Sequence, residues 1–181
     1  MTTALVVGAG IGGLSAAAAL ANAGLTVEVF ERTPNPRELG FALLLAPNAM
    51  AALRELGIAD TVLARGALLR RGQIRRGDGR VLKAIEFSKI RASLGEETVC
   101  VLRPVLHGAL LERVGREGLH LGALVTGYRT GKAGVELAAA GEPTVHGDLL
   151  VGADGVGSAI RRALHPLEPP PRRRGILAFR G

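Results

Sequence analysis

Apolar and polar positions in the first thirty residues predict a strand, a helix and a second strand. Residues 4–8 (ALVVG) are a short apolar run of the kind found in buried parallel strands. Small apolar residues recur at helical spacing over 11–23, and Gly24 follows at a position typical of a helix C-terminus. Residues 25–31 (LTVEVFE) predict a second strand, rich in β-branched residues. A strand–helix–strand unit of this length places both strands parallel in one sheet.

The rest of the chain predicts a mixture of helices and short strands. A helix is expected over 47–57, because Pro47 stands in its first turn and Gly57 at its end. The further predicted elements are a hairpin around Gly77–Gly79 within 68–87, a strand at 98–102, a helix over 103–115, an antiparallel meander over 119–147, a strand at 148–155, a helix over 157–164 and the start of a strand at 175–181.

Four glycines stand close together between the first strand and the first helix. Glycine inside an element costs roughly 0.5–1 kcal/mol relative to alanine, so this crowding needs a reason. The spacing fits the pattern G-x-G-x-x-G, in which the glycines allow a tight turn, the approach of a pyrophosphate to the backbone, and close packing of the helix on the sheet. The residues of the loop are Gly8, Ala9, Gly10, Ile11, Gly12 and Gly13.

An acidic residue completes the pattern at the end of the second strand. Glu31 lies eighteen residues after Gly13, where its carboxylate can accept hydrogen bonds from an adenosine ribose. The N-terminus of the helix predicted over 11–23, directly after the glycine loop, offers unpaired N–H groups and a positive dipole to the phosphates. These features together predict dinucleotide binding, and the residues alone leave the choice between a flavin and a nicotinamide dinucleotide open.

Composition and charge narrow the class of protein. The chain has 181 residues, 48% of them hydrophobic, which is long and apolar enough for a packed core. Its formal charge of +7 is spread over scattered arginines, and aromatic residues make up 3%, so we expect no nucleic-acid partner. No apolar run reaches the length of a membrane span, and a single cysteine suits a reducing compartment. We therefore expect a cytoplasmic protein without a membrane contact.

Two other chemistries are not supported by the residue spacing. The four histidines lack the spacing of metal ligands, so no metal site is predicted. Ser158 stands in GVGSAI rather than in a G-x-S-x-G elbow, so a serine hydrolase is not predicted either.

Four segments of the chain share a resemblance to one family of proteins. They are GAGIGGLSAAAALANAGLTVEVFER (8–32), GFALLLAPNAMAALRELGI (40–58), VCVLRPVLHGALLERV (99–114) and DLLVGADGVGSAIRRAL (148–164). The last of them has the form D-L-L-V-G-A-D-G-x-x-S-x-x-R. In this order the segments resemble the class A flavoprotein monooxygenases, the p-hydroxybenzoate hydroxylase-like family, and the terminal AFRG is similar to that family's next segment.

The resemblance implies an α/β fold: a Rossmann-like, glutathione-reductase-type FAD-binding fold with a parallel sheet and a small β-meander. It also implies a discontinuous FAD-binding domain at 1–67 and 98–170. Residues 68–97 and 171–181 would then begin the β-sheet of a substrate domain. The family's chains are about twice as long as this one, and their later half carries most of the substrate domain.

The resemblance also assigns roles at the FAD diphosphate and adenosine. Glu31 is implied to hold the adenosine ribose, with Arg32 beside it. The loop residues implied to bind FAD are Gly8, Gly10, Ile11, Gly12 and Gly13.

Three residues further along the chain receive roles in the same way. Arg103 is implied to face the diphosphate or the ribityl chain, although an arginine at a helix start can also be a surface residue. Val125 matches a position whose backbone meets the adenine. Asp154 belongs to an Asp-Gly motif implicated in handling FAD and the nicotinamide cofactor, with Arg161 fixing the turn, and the alternative is a purely turn-forming aspartate.

The activity implied by the resemblance is hydroxylation of an aromatic or related small molecule, with FAD as cofactor, NADH or NADPH as transient electron donor, and O₂. Two alternatives remain: another FAD-dependent oxidoreductase, such as a reductase or halogenase, and a non-catalytic FAD-binding fragment or subunit. Partners would be a second copy of the chain or a complementing C-terminal chain. No catalytic residue can be named from these residues, and we expect the 181-residue chain alone to be inactive.

Overall fold

The computed structural model describes residues 1–36, 40–172 and 174–176. They belong to two compact units, one formed by Met1–Arg37 with Leu110–Gly181 and the other by Glu38–Ala109. The elements in chain order are β1 (Thr3–Val7), α1 (Ile11–Asn22), β2 (Thr26–Glu31), β3 (Ala42–Leu45), α2 (Pro47–Glu55), α3 (Ala59–Arg65), β4 (Ala67–Leu68), β5 (Arg71–Arg75), β6 (Val81–Glu86), α4 (Phe87–Leu94), β7 (Val99–Leu102), α5 (Arg103–Val114), β8 (Leu119–Leu121), β9 (Val125–Gly131), β10 (Gly134–Ala139), β11 (Val145–Gly147), β12 (Leu149–Gly152) and α6 (Ala159–Leu164).

The first unit is built on a parallel sheet with the strand order β12-β1-β2-β8. Successive side chains of a strand point to opposite faces, and Ala4 to Val7 are all buried, so both faces of β1 are covered. Helix α1 packs against β1 and β2. A core cluster joins the sheet to the meander and α6; its members are Leu5, Val7, Phe30, Ala123, Val125, Leu137 and Ile160. The predicted parallel strand–helix–strand unit is confirmed.

Strand β8 corrects the predicted meander over 119–147. The antiparallel meander contains β9, β10 and β11, whereas β8 is the fourth strand of the parallel sheet. The backbone N–H of Val29 donates to Gly118 O at 2.7 Å just before β8, and Gly118 has the positive φ of +73° that this approach requires. Parallel pairing needs a long connection between the two strands, and residues 32–118 provide one between β2 and β8.

The second unit combines an antiparallel sheet with a separate hairpin. Its sheet has the order β3-β7-β4, and β5 pairs with β6. The predicted hairpin within 68–87 is present, and Gly79 has a φ of +90° in its turn. The helix predicted over 47–57 is α2, while β3, α3 and α4 were not predicted.

The C-terminal part agrees with the sequence as far as the structure describes it. The strand and helix predicted at 148–155 and 157–164 are β12 and α6. The strand predicted at 175–181 falls largely on 177–181, outside the described residues. The predicted boundaries of an FAD-binding and a substrate domain stay predictions. None of the helices in the described part of the chain combines the length and the apolar character needed to cross a bilayer.

Candidate functional site

Two glycines of the β1–α1 loop are required by close packing. Gly8 has a φ of +104°, and a Cβ there would lie 2.8 Å from the carbonyl carbon of Ala153. A Cβ on Gly13 would lie 2.9 Å from the carbonyl carbon of Gly8 and would overlap its oxygen. The loop is therefore folded tightly between the start of α1 and the backbone that follows β12.

Two other glycines of the loop face open space. A Cβ on Gly10 or Gly12 would meet no atom within 4 Å among the described residues. Gly10 has an extended conformation, with φ −74° and ψ 178°, that any residue can adopt. Its lack of a side chain is thus not explained by backbone strain or by packing. Close approach of a pyrophosphate to the backbone, as in the G-x-G-x-x-G pattern, would account for it.

The N-terminus of α1 suits an anion at this position. Gly10 is the N-cap and no side chain caps the helix, and its first turn contains no acidic residue, as far as the described residues show. Unpaired N–H groups and the helix dipole favour a phosphate there. The open space at Gly10 and the uncapped helix end together fit the diphosphate of a dinucleotide such as FAD.

Glu31 is bonded to the loop at the end of β2. Its Oε2 accepts from the backbone N–H of Ala9 at 2.9 Å, and its Oε1 accepts from that of Thr33 at 2.8 Å. Burial raises the pKa of the Glu31 carboxyl, but the backbone bonds from Ala9 and Thr33, a bond from the Thr33 side chain and the charge of Arg32 together hold the pKa below its usual value. The side chain is therefore an oriented carboxylate. A carboxylate has about four acceptor sites, so Glu31 could also accept a hydrogen bond from a ribose hydroxyl.

The segment after β8 lies against the end of β2. The N–H of Ala123 donates to the backbone oxygen of Glu31 at 2.9 Å, and Val125 is buried at the start of β9. Arg32, which directly follows Glu31, is exposed. The structure thus brings Val125 and Glu31 to the same end of the sheet.

Asp154 organises the N-terminus of α6. Its carboxylate accepts from Ser158 Oγ and from the backbone N–H groups of Ala159 and Ile160. Burial raises the pKa of Asp154, but the bonds from Ser158 and from the backbone outweigh it and place the pKa below its usual value. Arg161 donates to Val156 O at 2.7 Å and so fixes the turn. These contacts of Asp154 all serve the turn.

The turn at Asp154 lies next to the glycine loop. A Cβ on Gly8 would lie 3.1 Å from the backbone nitrogen of Asp154, and one on Gly13 would lie 3.3 Å from Ala153 Cβ. The N–H of Ala153 also donates to Val7 O at 2.8 Å. The sequence did not single out Ala153 or the capping role of Ser158. A serine just before an apolar helical run is the signal that could have identified the cap.

Arg103 belongs to the second unit. It is the first residue of α5, its N–H donates to Phe41 O at 3.0 Å, and its guanidinium lies over the Phe41 ring, 5.9 Å from the centroid. Its role toward a cofactor stays a prediction.

Among the described residues, no group of three or more His, Cys, Asp or Glu side chains is placed to hold a metal ion.

Comparison with known proteins decides the family. The family model described as "FAD binding domain" matches residues 1–170. The chain belongs to this FAD-binding domain family. Its α/β, Rossmann-like fold is the fold of flavoprotein hydroxylases, and its cofactor is FAD.

Curated relatives are FAD-dependent monooxygenases. The chain is 38% identical to the Aurachin C monooxygenase/isomerase of Stigmatella aurantiaca, over 99% of this chain and 46% of that protein. It is 31% identical to the FAD-dependent urate hydroxylase of Klebsiella pneumoniae, over 98% of this chain and 47% of that protein. The chain therefore spans less than half the length of these relatives.

Solved structures agree in fold. Klebsiella pneumoniae HpxO complexed with FAD and uric acid matches with a TM-score of 0.82 and 31% identity, over 89% of this chain and 41% of that one. The tetrameric form of 2-methyl-3-hydroxypyridine-5-carboxylic acid oxygenase matches with a TM-score of 0.79 and 27% identity, over 91% of this chain and 42% of that one.

Proposed function

We propose that this chain is the FAD-binding part of a monooxygenase that hydroxylates an aromatic or related small molecule, with NADH or NADPH as electron donor. The observation that carries the proposal is the open space at Gly10 beside the uncapped N-terminus of α1, flanked by glycines that packing requires. The names of the relatives support the substrate class: one is a urate hydroxylase, another the 3-hydroxybenzoate 6-hydroxylase 1 of Aquipseudomonas alcaligenes.

The chain's own residues would bind and orient FAD. The proposed diphosphate site is the loop Gly8–Gly13, with Ile11 at the first position of α1, and Glu31 would accept the hydroxyls of the adenosine ribose, next to Arg32. The backbone at Val125 would meet the adenine. Asp154 would act through the turn that it holds beside the glycine loop, and Arg103 would offer a guanidinium to the diphosphate or ribityl chain.

FAD and the protein's own residues would have different roles in the reaction. Bound FAD supplies the electron transfer and the activation of O₂, which no protein side chain can provide. The Glu31 carboxylate is ionised at neutral pH, and its lowered pKa keeps it ionised at more acidic pH, so it would remain a hydrogen-bond acceptor throughout. The protein's part is therefore to bind the dinucleotide and to hold its adenosine half in one orientation.

A titration tests the binding part of the proposal. Purified chain stripped of cofactor should bind FAD in calorimetry and acquire the absorbance bands of bound flavin. NAD in the same cell is the matched comparison, because it shares the adenosine diphosphate half of FAD. Tight binding of NAD without affinity for FAD would overturn the proposal.

Two other functions would use the same cofactor site. An FAD-binding subunit, completed by a second copy or a complementing chain, would bind FAD through the glycine loop. Another FAD-dependent oxidoreductase, such as a reductase or halogenase, would use the same loop and Glu31. Light scattering of the FAD-bound chain tests the first alternative, since a strictly monomeric chain would exclude completion by a second copy.

A further inference from the structure

Three side chains form a cluster at the edge of the parallel sheet, apart from the residues assigned above. Phe30 on β2 and His120 on β8 stand opposite each other in register. Their rings stack with centroids 4.7 Å apart and planes inclined by 10°. His120 Nε2 also shares a hydrogen bond with Glu28 Oε2, two residues before Phe30 on the same face. Phe30 is buried, while Glu28 and His120 are partly exposed.

The cluster fixes the register of a very short strand. β8 has three residues, and it pairs with Val29, Phe30 and Glu31 of β2. A slip by one residue would move His120 to the other face of the sheet and break both of its contacts. Three backbone pairings alone determine the register weakly. The stacking of His120 on Phe30 and its bond to Glu28 therefore contribute much of the preference for this register.

The register of β8 determines what lies beside Glu31. Leu121 stands opposite Glu31, and two residues later the N–H of Ala123 donates to the Glu31 backbone oxygen. Ala123 and Val125 then join Phe30 in the core cluster. His120 thus lies one register position from the residue whose carboxylate is bonded to the glycine loop through Ala9.

We propose that His120 is a positioning residue for the adenosine half of FAD. Through Phe30 and Glu28 it holds β8 in register on β2, and this register keeps residues 122–125 against the end of β2 beside Glu31. The inference rests on the proposed binding of FAD, and it adds a residue that makes no contact with the ligand.

The experiment compares His120→Ala with His120→Phe, which keeps a ring for stacking, and with Glu28→Gln. The matched control is His146→Ala. His146 is the central residue of β11, another three-residue strand, and stands opposite Glu136 in register. Calorimetry measures the dissociation constants of FAD, of ADP and of FMN, which carries the other half of FAD. Circular dichroism at the same temperature reports the folded fraction of each variant.

We expect His120→Ala to lower the affinities for FAD and for ADP by about tenfold each and to leave the affinity for FMN unchanged. His120→Phe should restore the affinities for FAD and ADP to within about threefold of the wild type. If His120→Ala does not fold, Glu28→Gln should show the same pattern at smaller size. Wild-type-like ADP affinity in the folded variants, or an equal loss in His146→Ala, would overturn the inference while leaving FAD binding intact. A wild-type chain without FAD affinity would instead contradict the proposed function.

Discussion

Gly10 and Gly13 lie three residues apart in the same loop, yet a side chain would have a different effect at each. At Gly13 a Cβ would overlap the Gly8 carbonyl, so the residue is required for α1 to pack at the end of β1. At Gly10 the surrounding space is open and the backbone is extended. Stability and ligand binding can therefore be separated by substitution within one loop.

We expect Gly10→Val to abolish FAD binding while the chain remains folded, because the valine side chain would occupy the space of the diphosphate. Calorimetric titration with FAD measures the affinity, and thermal unfolding measures the stability. Gly131→Val is the matched control, since a Cβ there also meets nothing within 4 Å and Gly131 is the last residue of β9, at the other end of the strand from Val125. Unchanged FAD affinity in folded Gly10→Val would rule out the proposed diphosphate contact.

The opposite behaviour is expected at Gly13. Gly13→Ala should lower the stability strongly, because backbone atoms of Gly8 cannot move away without breaking the turn. Thermal unfolding beside the wild type measures the loss, and a wild-type melting temperature would contradict the close packing of α1 on the loop.

Glu31→Gln should weaken FAD binding without unfolding the chain. Glutamine keeps the size, but the bond to a ribose hydroxyl becomes a neutral one, and the loss of about 1–1.5 kcal/mol relative to a charged bond corresponds to roughly fivefold to tenfold in affinity. The NH₂ group of the glutamine would also face one of the two backbone N–H groups that now donate hydrogen bonds to Glu31. Titration with FAD measures the loss.

Glu142→Gln serves as the control, because it removes one negative charge at an exposed turn after β10, outside the glycine loop. Equal FAD affinity in Glu31→Gln and Glu142→Gln would contradict a ribose contact at Glu31.

At the scale of elements, α6 is a six-residue helix whose first turn depends on side-chain caps. Ser158 Oγ accepts from the Arg161 N–H, and Asp154 accepts from those of Ala159 and Ile160. So short a helix has little stability of its own. The caps therefore maintain the turn that lies beside the glycine loop.

Ser158→Ala should lower the free energy of unfolding by about 1 kcal/mol, as the loss of an N-cap does. For a chain of this size that corresponds to a melting temperature lower by roughly 2–4 °C. Ser93→Ala, an exposed position inside α4, is the control and should leave the melting temperature unchanged. A melting temperature for Ser158→Ala equal to that of the control would show that the cap contributes nothing.

The lowered pKa of Asp154 predicts a loss of stability in acid. A carboxyl whose folded pKa lies below its unfolded value, about 3.8 for this aspartate, contributes stability that is fully present above that pH and is lost as pH falls through the folded pKa. Asp154→Asn should therefore be less stable than the wild type at neutral pH, with a shallower decline as the pH falls below about 4. Urea unfolding at a series of pH values measures both. Parallel curves for the two proteins would contradict the assignment.

The elements that the sequence predicted are those with a local signal. β1, α1 and β2 have a clear apolar pattern, and the loop between them has a physical reason for glycine at Gly8, Gly10 and Gly13. β8, with the sequence LHL, was predicted as part of the meander, and its place in the parallel sheet comes from pairing with β2, which no local pattern shows. α3 and α4 have neither a proline in the first turn, as α2 has, nor a capping side chain, as α6 has.

The same distinction holds at the site. Glu31 was predicted from its place after a strand, whereas the approach of Ala153 to Gly8 and Gly13 depends on the pairing of β1 with β12, which lie at opposite ends of the chain. Contacts of this kind arise from tertiary structure, and no local sequence pattern predicts them.

At the scale of the whole molecule, the 181 residues correspond to less than half of each relative, and hydroxylation by those relatives is an activity of their whole chains. Oxygen insertion needs a site from which water is excluded. A flavin whose ring is not enclosed in this way can pass electrons to O₂ without delivering oxygen to a substrate.

We therefore expect the chain by itself to consume NADPH or NADH and O₂ without hydroxylating a substrate, and to release hydrogen peroxide. The assay supplies FAD, either nicotinamide cofactor and a panel of phenolic acids and urate, and follows O₂ uptake, peroxide and oxygenated products by mass spectrometry. Gly10→Val, which should not bind FAD, sets the background from free flavin, and catalase should return half of the consumed O₂ because two molecules of peroxide yield one of O₂. Stoichiometric hydroxylation of any substrate by the monomeric chain would contradict this expectation, and it would mean that the chain's own residues already close a site around the reacting atoms.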